Sequence, residues 1–244
     1  MSDKWQADLM KLQRALETAL GPQLVALLIY GSAARPGASG PRSDVNLLLI
    51  VRDASSAGLR PVAEAVAGWV RAGYTAPLIF GEAEWRGSAD VFPIEIEDMR
   101  EAHRLVAGSD PFAGLTTLTA DLRRELEREV RSKLLHLRTA YAGAAPQGKA
   151  LEGLLEASSG TVLALLRAAI RLAGHRPPAE PAAQVAAAAQ LAGFDARAFE
   201  WVLARRAGRA AARLAPYDPV ATAYVDAVQR LAAWVDAAGG ATPG

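Results

Sequence analysis

Every stretch of this 244-residue sequence that reads as a β-strand lies before residue 100, and from about residue 116 only helical spacing remains. That division limits the chain to an α+β architecture: a sheet-bearing domain first, an all-helical one after it. Leu9, Leu12, Leu16 and Leu20 recur at helical spacing, so residues 4–20 read as a helix that Gly21-Pro22 stops. Leu24–Tyr30 and Val45–Val51 are nearly continuous apolar runs, the pattern of buried strands. Between 55 and 72 a helix is expected, with Leu59, Val62, Val66 and Val70 as its apolar stripe, and Thr75–Phe80 reads as a third strand. Residues 81–88 read as a short polar connector or helical turn. Residues 91–96, VFPIEI, read as a fourth strand, with Pro93 marking an edge or a bulge, and Ala102–Val106 reads as a helical turn. Beyond that, helices are expected at 122–141, 150–172, 181–191, 198–207 and 219–238. The domains read as 1–112, a mixed-sheet domain, and 117–240, a helical bundle.

Charge and composition exclude several chemistries. With 27 basic and 26 acidic side chains the formal net charge is +1, which gives no mandate for nucleic acid as a partner. There is no cysteine, so disulfides, thiolate catalysis and Cys-ligated zinc are out. The polar N-terminal stretch has no apolar core of a signal peptide, and arginines interrupt the later apolar runs. A cytoplasmic protein with no membrane association is expected.

The chemistry concentrates in LLIYGSAARPGASGPRSDVNLLLIV, residues 27–51. A glycine directly after a strand, Gly31, lets the chain turn tightly and bring backbone N–H groups near a ligand. Ser32 adds a hydroxyl, and Arg35 can reach the same phosphates as a bidentate donor. The same residues also suit an ordinary turn. Asp44 and Asn46 open the second strand, and their side chains share one face because strand residues alternate. A carboxylate and an amide so placed can address one magnesium ion through oxygen, or merely cap a loop. Glu95 and Glu97 share a face of the expected fourth strand. If that strand adjoins the second, Glu95 can bind metal or deprotonate a hydroxyl; otherwise it lies on a solvated edge.

GSAAR followed by SDVNLLLIV resembles the nucleotidyltransferase superfamily typified by DNA polymerase beta, in particular its kanamycin and aminoglycoside nucleotidyltransferase-like branch. The resemblance covers roughly residues 22–100. It implies a mixed-sheet domain followed by a helical domain that helps bind the acceptor. It implies transfer of a nucleoside monophosphate from an NTP to a small hydroxyl-bearing acceptor, with Mg2+. By the same resemblance Gly31, Ser32 and Arg35 hold the nucleotide phosphates. Asp44 is the first metal carboxylate, Asn46 stands at the second, and Glu95 is the third acid, with Glu97 as the alternative register.

The departure is Asn46, where the family pattern is Asp-x-Asp. Removing a negative charge where ions and triphosphate crowd together implies weaker metal binding and slower transfer. Two readings follow: a weakened nucleotidyltransferase, or a catalytically inactive nucleotide- or ligand-binding regulatory protein of the same fold, with a homodimer through the alanine-rich helices left open. A helical scaffold with an incidental sheet cap is the third. His103 can face a nucleotide or simply pack. Trp85 can stack on a base or close the core. His136 lies on a helix face that reads as solvated, and residues 204–213 form a short basic patch.

Overall fold

The computed structural model describes residues 3–34, 45–209 and 211–240. Two compact units divide the chain, Met1–Leu118 and Thr119–Gly244. The first is a four-stranded sheet with helices, and in the second the regular elements among the described residues are all helices.

In the first unit α1 (Asp3–Leu20) leads through a short 3-10 turn, Gly21–Gln23, into β1 (Leu24–Tyr30). Then come β2 (Asn46–Val51), α2 (Leu59–Arg71), β3 (Leu78–Gly81), α3 (Glu82–Arg86), α4 (Pro93–Glu101) and β4 (His103–Gly108). The strand order is β3-β2-β1-β4. β1 runs antiparallel to both β2 and β4, while β2 and β3 are parallel, so the sheet is mixed.

Each central strand is buried on both faces, which is why its sequence is continuously apolar. Leu27 and Ile29 of β1, with Leu47 and Leu49 of β2, pack under α1 and α2. Leu28, Leu48 and Ile50 face the other way, onto Trp85, Ile96, Met99 and Phe112. The α2 stripe is Val62, Val66 and Trp69, and Val70 is exposed. Trp69 stacks on Tyr74 at 4.0 Å between ring centroids and donates its indole N–H to Thr75 O.

The stretch 91–108 reverses the sequence reading. Residues 93–101 form α4, not a strand, and residues 103–108 form β4, not a helical turn. Pro93 starts the helix, where a missing N–H costs nothing and the fixed φ is already helical. Pro93, Ile96 and Met99 recur at i, i+3 and are buried with Ile94, while Glu95 is exposed. β4 joins the edge beside β1, not β2, with a bulge against Leu27/Leu28. The connector after β3 is itself the short helix α3.

The second unit contains α5 (Thr119–Ala144), α6 (Gly148–Leu172), α7 (Pro181–Ala192), α8 (Glu200–Arg206) and α9 (Pro219–Gly240). α6 is its spine, packed by α5, α7, α8 and α9. It is long and apolar enough to cross a membrane, the only such helix among the described residues, but 56% of its most apolar window is buried inside the protein. A helix apolar on most sides is here a core helix.

Candidate functional site

β1 ends at Tyr30, and the chain turns at once through Gly31–Ala34 in a 3-10 turn. Gly31 has φ +77°, a conformation that disfavours any side chain. Its N–H donates to Ala102 O at 2.8 Å, tying the turn to the entrance of β4. Asn46 is the first residue of β2, directly opposite Tyr30. Its amide nitrogen lies 3.8 Å from where a Cβ on Gly31 would stand, so the amide packs against the turn. The two residues read as parts of one site are therefore neighbours. The local sequence dictates this: register follows from the apolar faces of β1 and β2, and only Tyr30–Asn46 remains for the last pair.

Glu95 reaches this corner from α4. It stands in the exposed first turn of that helix, where a carboxylate complements the helix dipole. α4 covers the sheet face that carries Leu28, Leu48 and Ile50. Tyr30 packs onto the same face, and period-two alternation puts Asn46 there as well. The Tyr30 phenol is held above its ordinary pKa, first by burial and then by the negative charge of Glu95. Glu95 thus acts on the cross-strand partner of Asn46, although it does so from a helix.

Glu97 is engaged elsewhere. Arg100 donates to it at 2.6 Å, and Thr117 Oγ1 donates to the same oxygen. Arg100 also donates to Leu115 O at 2.6 Å, so this cluster fastens α4 to the 115–117 segment. His103 is half-buried, its ring 4.6 Å from that of Phe112 and its Nδ1 3.0 Å from Arg100 O. A carbonyl only accepts, so Nδ1 carries the proton. Trp85 is 3% exposed and donates its indole N–H to Pro111 O, which makes it part of the core and not a platform for a base. His136 is exposed on α5.

Asp44, Arg35 and the Ser32 side chain lie outside the described residues. Among the described residues no group of three or more His, Asp or Glu side chains could hold a metal ion. What the described part of this corner offers is one neutral amide, one carboxylate and one neutral phenol. Tyr30 is the residue the sequence reading passed over; its signal was a lone aromatic hydroxyl at the strand end, directly before Gly31.

No protein-family model matches the chain, and no curated protein matches it. A solved structure does. The crystal structure of spectinomycin adenyltransferase AAD(9) from Enterococcus faecialis, with ATP and spectinomycin, superposes with a TM-score of 0.57. The match covers 93% of this chain and 98% of that one, at 13% identity. This chain has the nucleotidyltransferase fold. The sheet with its helices and the all-helical region after it both fall inside the matched length. On that fold, Gly31 and Asn46 stand side by side at one end of the two central strands.

The Tyr30–Glu95 coupling is open to direct measurement. In Glu95→Gln the phenol loses a neighbouring negative charge, so its pKa is expected to fall toward the ordinary value while burial still holds it up. The check is the difference in phenolate absorbance titration between wild type and Glu95→Gln, repeated in Tyr30→Phe. An unchanged titration would remove Glu95 from this corner.

Proposed function

We propose that the chain binds an NTP with magnesium at the Gly31 turn, and that its transfer of a nucleoside monophosphate to a small hydroxyl-bearing acceptor is weakened or lost. The observation that carries this reading is the Asn46 amide packed against Gly31 at the head of β2. The turn suits a phosphate, because Gly31 lets the backbone come close. Asp44, Asn46 and Glu95 would hold the magnesium, which neutralises triphosphate charge when bound. An amide oxygen in that set is a weaker ligand for a doubly charged ion than a carboxylate. Phosphoryl-type transfer depends on positioning and charge stabilisation more than on covalent chemistry by the protein. Substrate binding therefore survives a missing charge better than transfer does.

The same observation favours a second reading, a non-catalytic nucleotide-binding regulator, over an uncompromised enzyme. The structural likeness makes ATP the first nucleotide to try and spectinomycin the first acceptor.

The test is titration calorimetry with MgATP and the other three NTPs on wild type, Asp44→Ala and Asn46→Asp. Magnesium-dependent binding is expected in wild type and is expected to collapse in Asp44→Ala. Asn46→Asp is expected to bind the magnesium complex about tenfold tighter, roughly 1.4 kcal/mol. Acceptor-dependent pyrophosphate release that appears only in Asn46→Asp would select the inactive reading. Release by wild type would select the weakened enzyme. Absence of binding by all three folded proteins would overturn both.

A further inference from the structure

The opposite end of the sheet holds a second cleft, about 270 Å³, built wholly within the first unit. It lies where β1 begins and where β2 and β4 end, roughly 20 Å from the Gly31 turn at about 3.3 Å per strand residue. Its middle is apolar, from Leu24, Val25 and Ile50. Its charged groups are sorted by side. Arg52 and Arg86 follow β2 and β3, whereas Asp110 follows β4, on the far side of β1.

The two arginines share one carboxylate. Arg86 donates to Glu82 at 3.2 Å, and Arg52 stands 3.8 Å from the other Glu82 oxygen. Arg52 is anchored by its Nε–H, which donates to Pro22 O at 2.9 Å. One unit of positive charge is left over on this side. Across the cleft, one Asp110 oxygen accepts from Phe112 N at 2.9 Å, and among the described residues the other has no hydrogen-bond donor. The wall between them is firm. Trp85 is fixed by its indole bond to Pro111 O, and Ser109 N–H donates to Val25 O at 3.0 Å.

We infer that this cleft binds a short zwitterion, a carboxylate at the Arg52–Arg86 side and a primary ammonium at Asp110, with an apolar span over Leu24 and Val25. β2 and β4 flank β1, so their ends stand about 10 Å apart at ~4.8 Å per strand spacing. A free α-amino acid holds its two charges too close together to meet both sides. ω-Amino acids and dipeptides have the right separation, and the volume suits a ligand of that size. An anion alone would leave Asp110 unmatched, and a cation alone would leave the arginine pair unmatched. Nothing in this inference depends on nucleotide binding at the Gly31 turn.

The experiment is a nitrogen–proton NMR titration of the full chain, with the Trp85 indole N–H as the reporter. The probes are 6-aminohexanoate and alanyl-leucine, with hexanoate and hexylamine as singly charged controls. Saturable shifts of Trp85 are expected with both zwitterions, and each control is expected to bind at least tenfold more weakly. Asp110→Asn keeps the oxygen that accepts from Phe112, and Arg86→Gln sits on an exposed side chain, so both variants retain the fold; each is expected to weaken the zwitterions at least fivefold. The inference is overturned if the spectra show a folded protein and Trp85 does not move. Equal binding of the singly charged controls, or zwitterion affinity unchanged in both variants, overturns it as well.

Discussion

Gly108→Ala is expected to destabilise the sheet unit by roughly 3 kcal/mol, whereas Gly114→Ala, six residues on, costs about 1 kcal/mol. Both glycines have positive φ, +80° and +74°, so both variants incur the left-handed strain of an L residue. Only Gly108 also meets an obstacle. A Cβ there would stand 2.0 Å from Val25 O and 2.7 Å from Val25 C, backbone atoms at the start of a central strand. Nothing lies within 4 Å of the corresponding point on Gly114. The alanine methyl would therefore push β4 away from β1, where Ala26 pairs with Gly108 and Ser109 N–H bonds Val25 O. Urea unfolding followed by tryptophan fluorescence measures the difference, since Trp69 and Trp85 both pack in this unit. Equal losses in the two variants would show that β4 yields at little cost and that the close approach is not a constraint.

Tyr224→Phe is expected to reverse its effect on stability with pH. Tyr224 is fully buried on α9, its hydroxyl 3.2 Å from Ser158 Oγ and its ring 5.0 Å from that of Phe199. Burial pushes the phenol from 10.0 up to about 12, against the opposing pull of the Ser158 hydrogen bond and the Arg206 charge. The folded state thus favours the neutral phenol. The stability from that neutral group is fully present below pH 10 and is lost as pH rises toward 12. Two pKa units correspond to about 3 kcal/mol. At pH 7 the phenylalanine variant loses one hydrogen bond and is expected to be less stable by about 1 kcal/mol. Above about pH 11 it is expected to be the more stable protein, having nothing to ionise. Denaturation at a series of pH values, read as the difference between the two proteins, cancels the lysines and other tyrosines. Parallel curves from pH 8 to 12 would falsify the account.

How far the fold was legible depends on element length. β1 was read with its observed ends because seven consecutive residues, Leu24–Tyr30, are apolar or aromatic and are followed by Gly31. The long helices were found, with ends a few residues short, because α5 and α6 run for 26 and 25 residues and repeat their apolar positions many times. α4 has only nine residues. In it Ile94, Glu95, Ile96 and Glu97 alternate at period two, and so short a window cannot show that Pro93, Ile96 and Met99 form the true repeat. β4 was missed for the complementary reason. It is an edge strand with Leu105 exposed and only Ala107 buried, so no apolar run announces it. At the candidate site, Gly31 and Asn46 were legible because two adjacent strands bring them together with no help from elsewhere. The neighbourhood of Tyr30 was not, because it depends on where α4 packs, and that is decided by Ile96 and Met99 meeting the sheet.

The position of α6 governs how the second unit can be assembled. α5 and α6 are joined by three residues, so they pair as soon as both have left the ribosome. α7 and α8 follow, but the last cover on α6 comes from α9, some fifty residues further along. During that interval a helix with the hydrophobicity of a membrane span has part of its surface turned to water. Synthesis of this unit therefore includes a period of seconds in which an unfinished hairpin is a target for chaperones and for other unfinished chains, and it ends only when Pro219–Gly240 arrives.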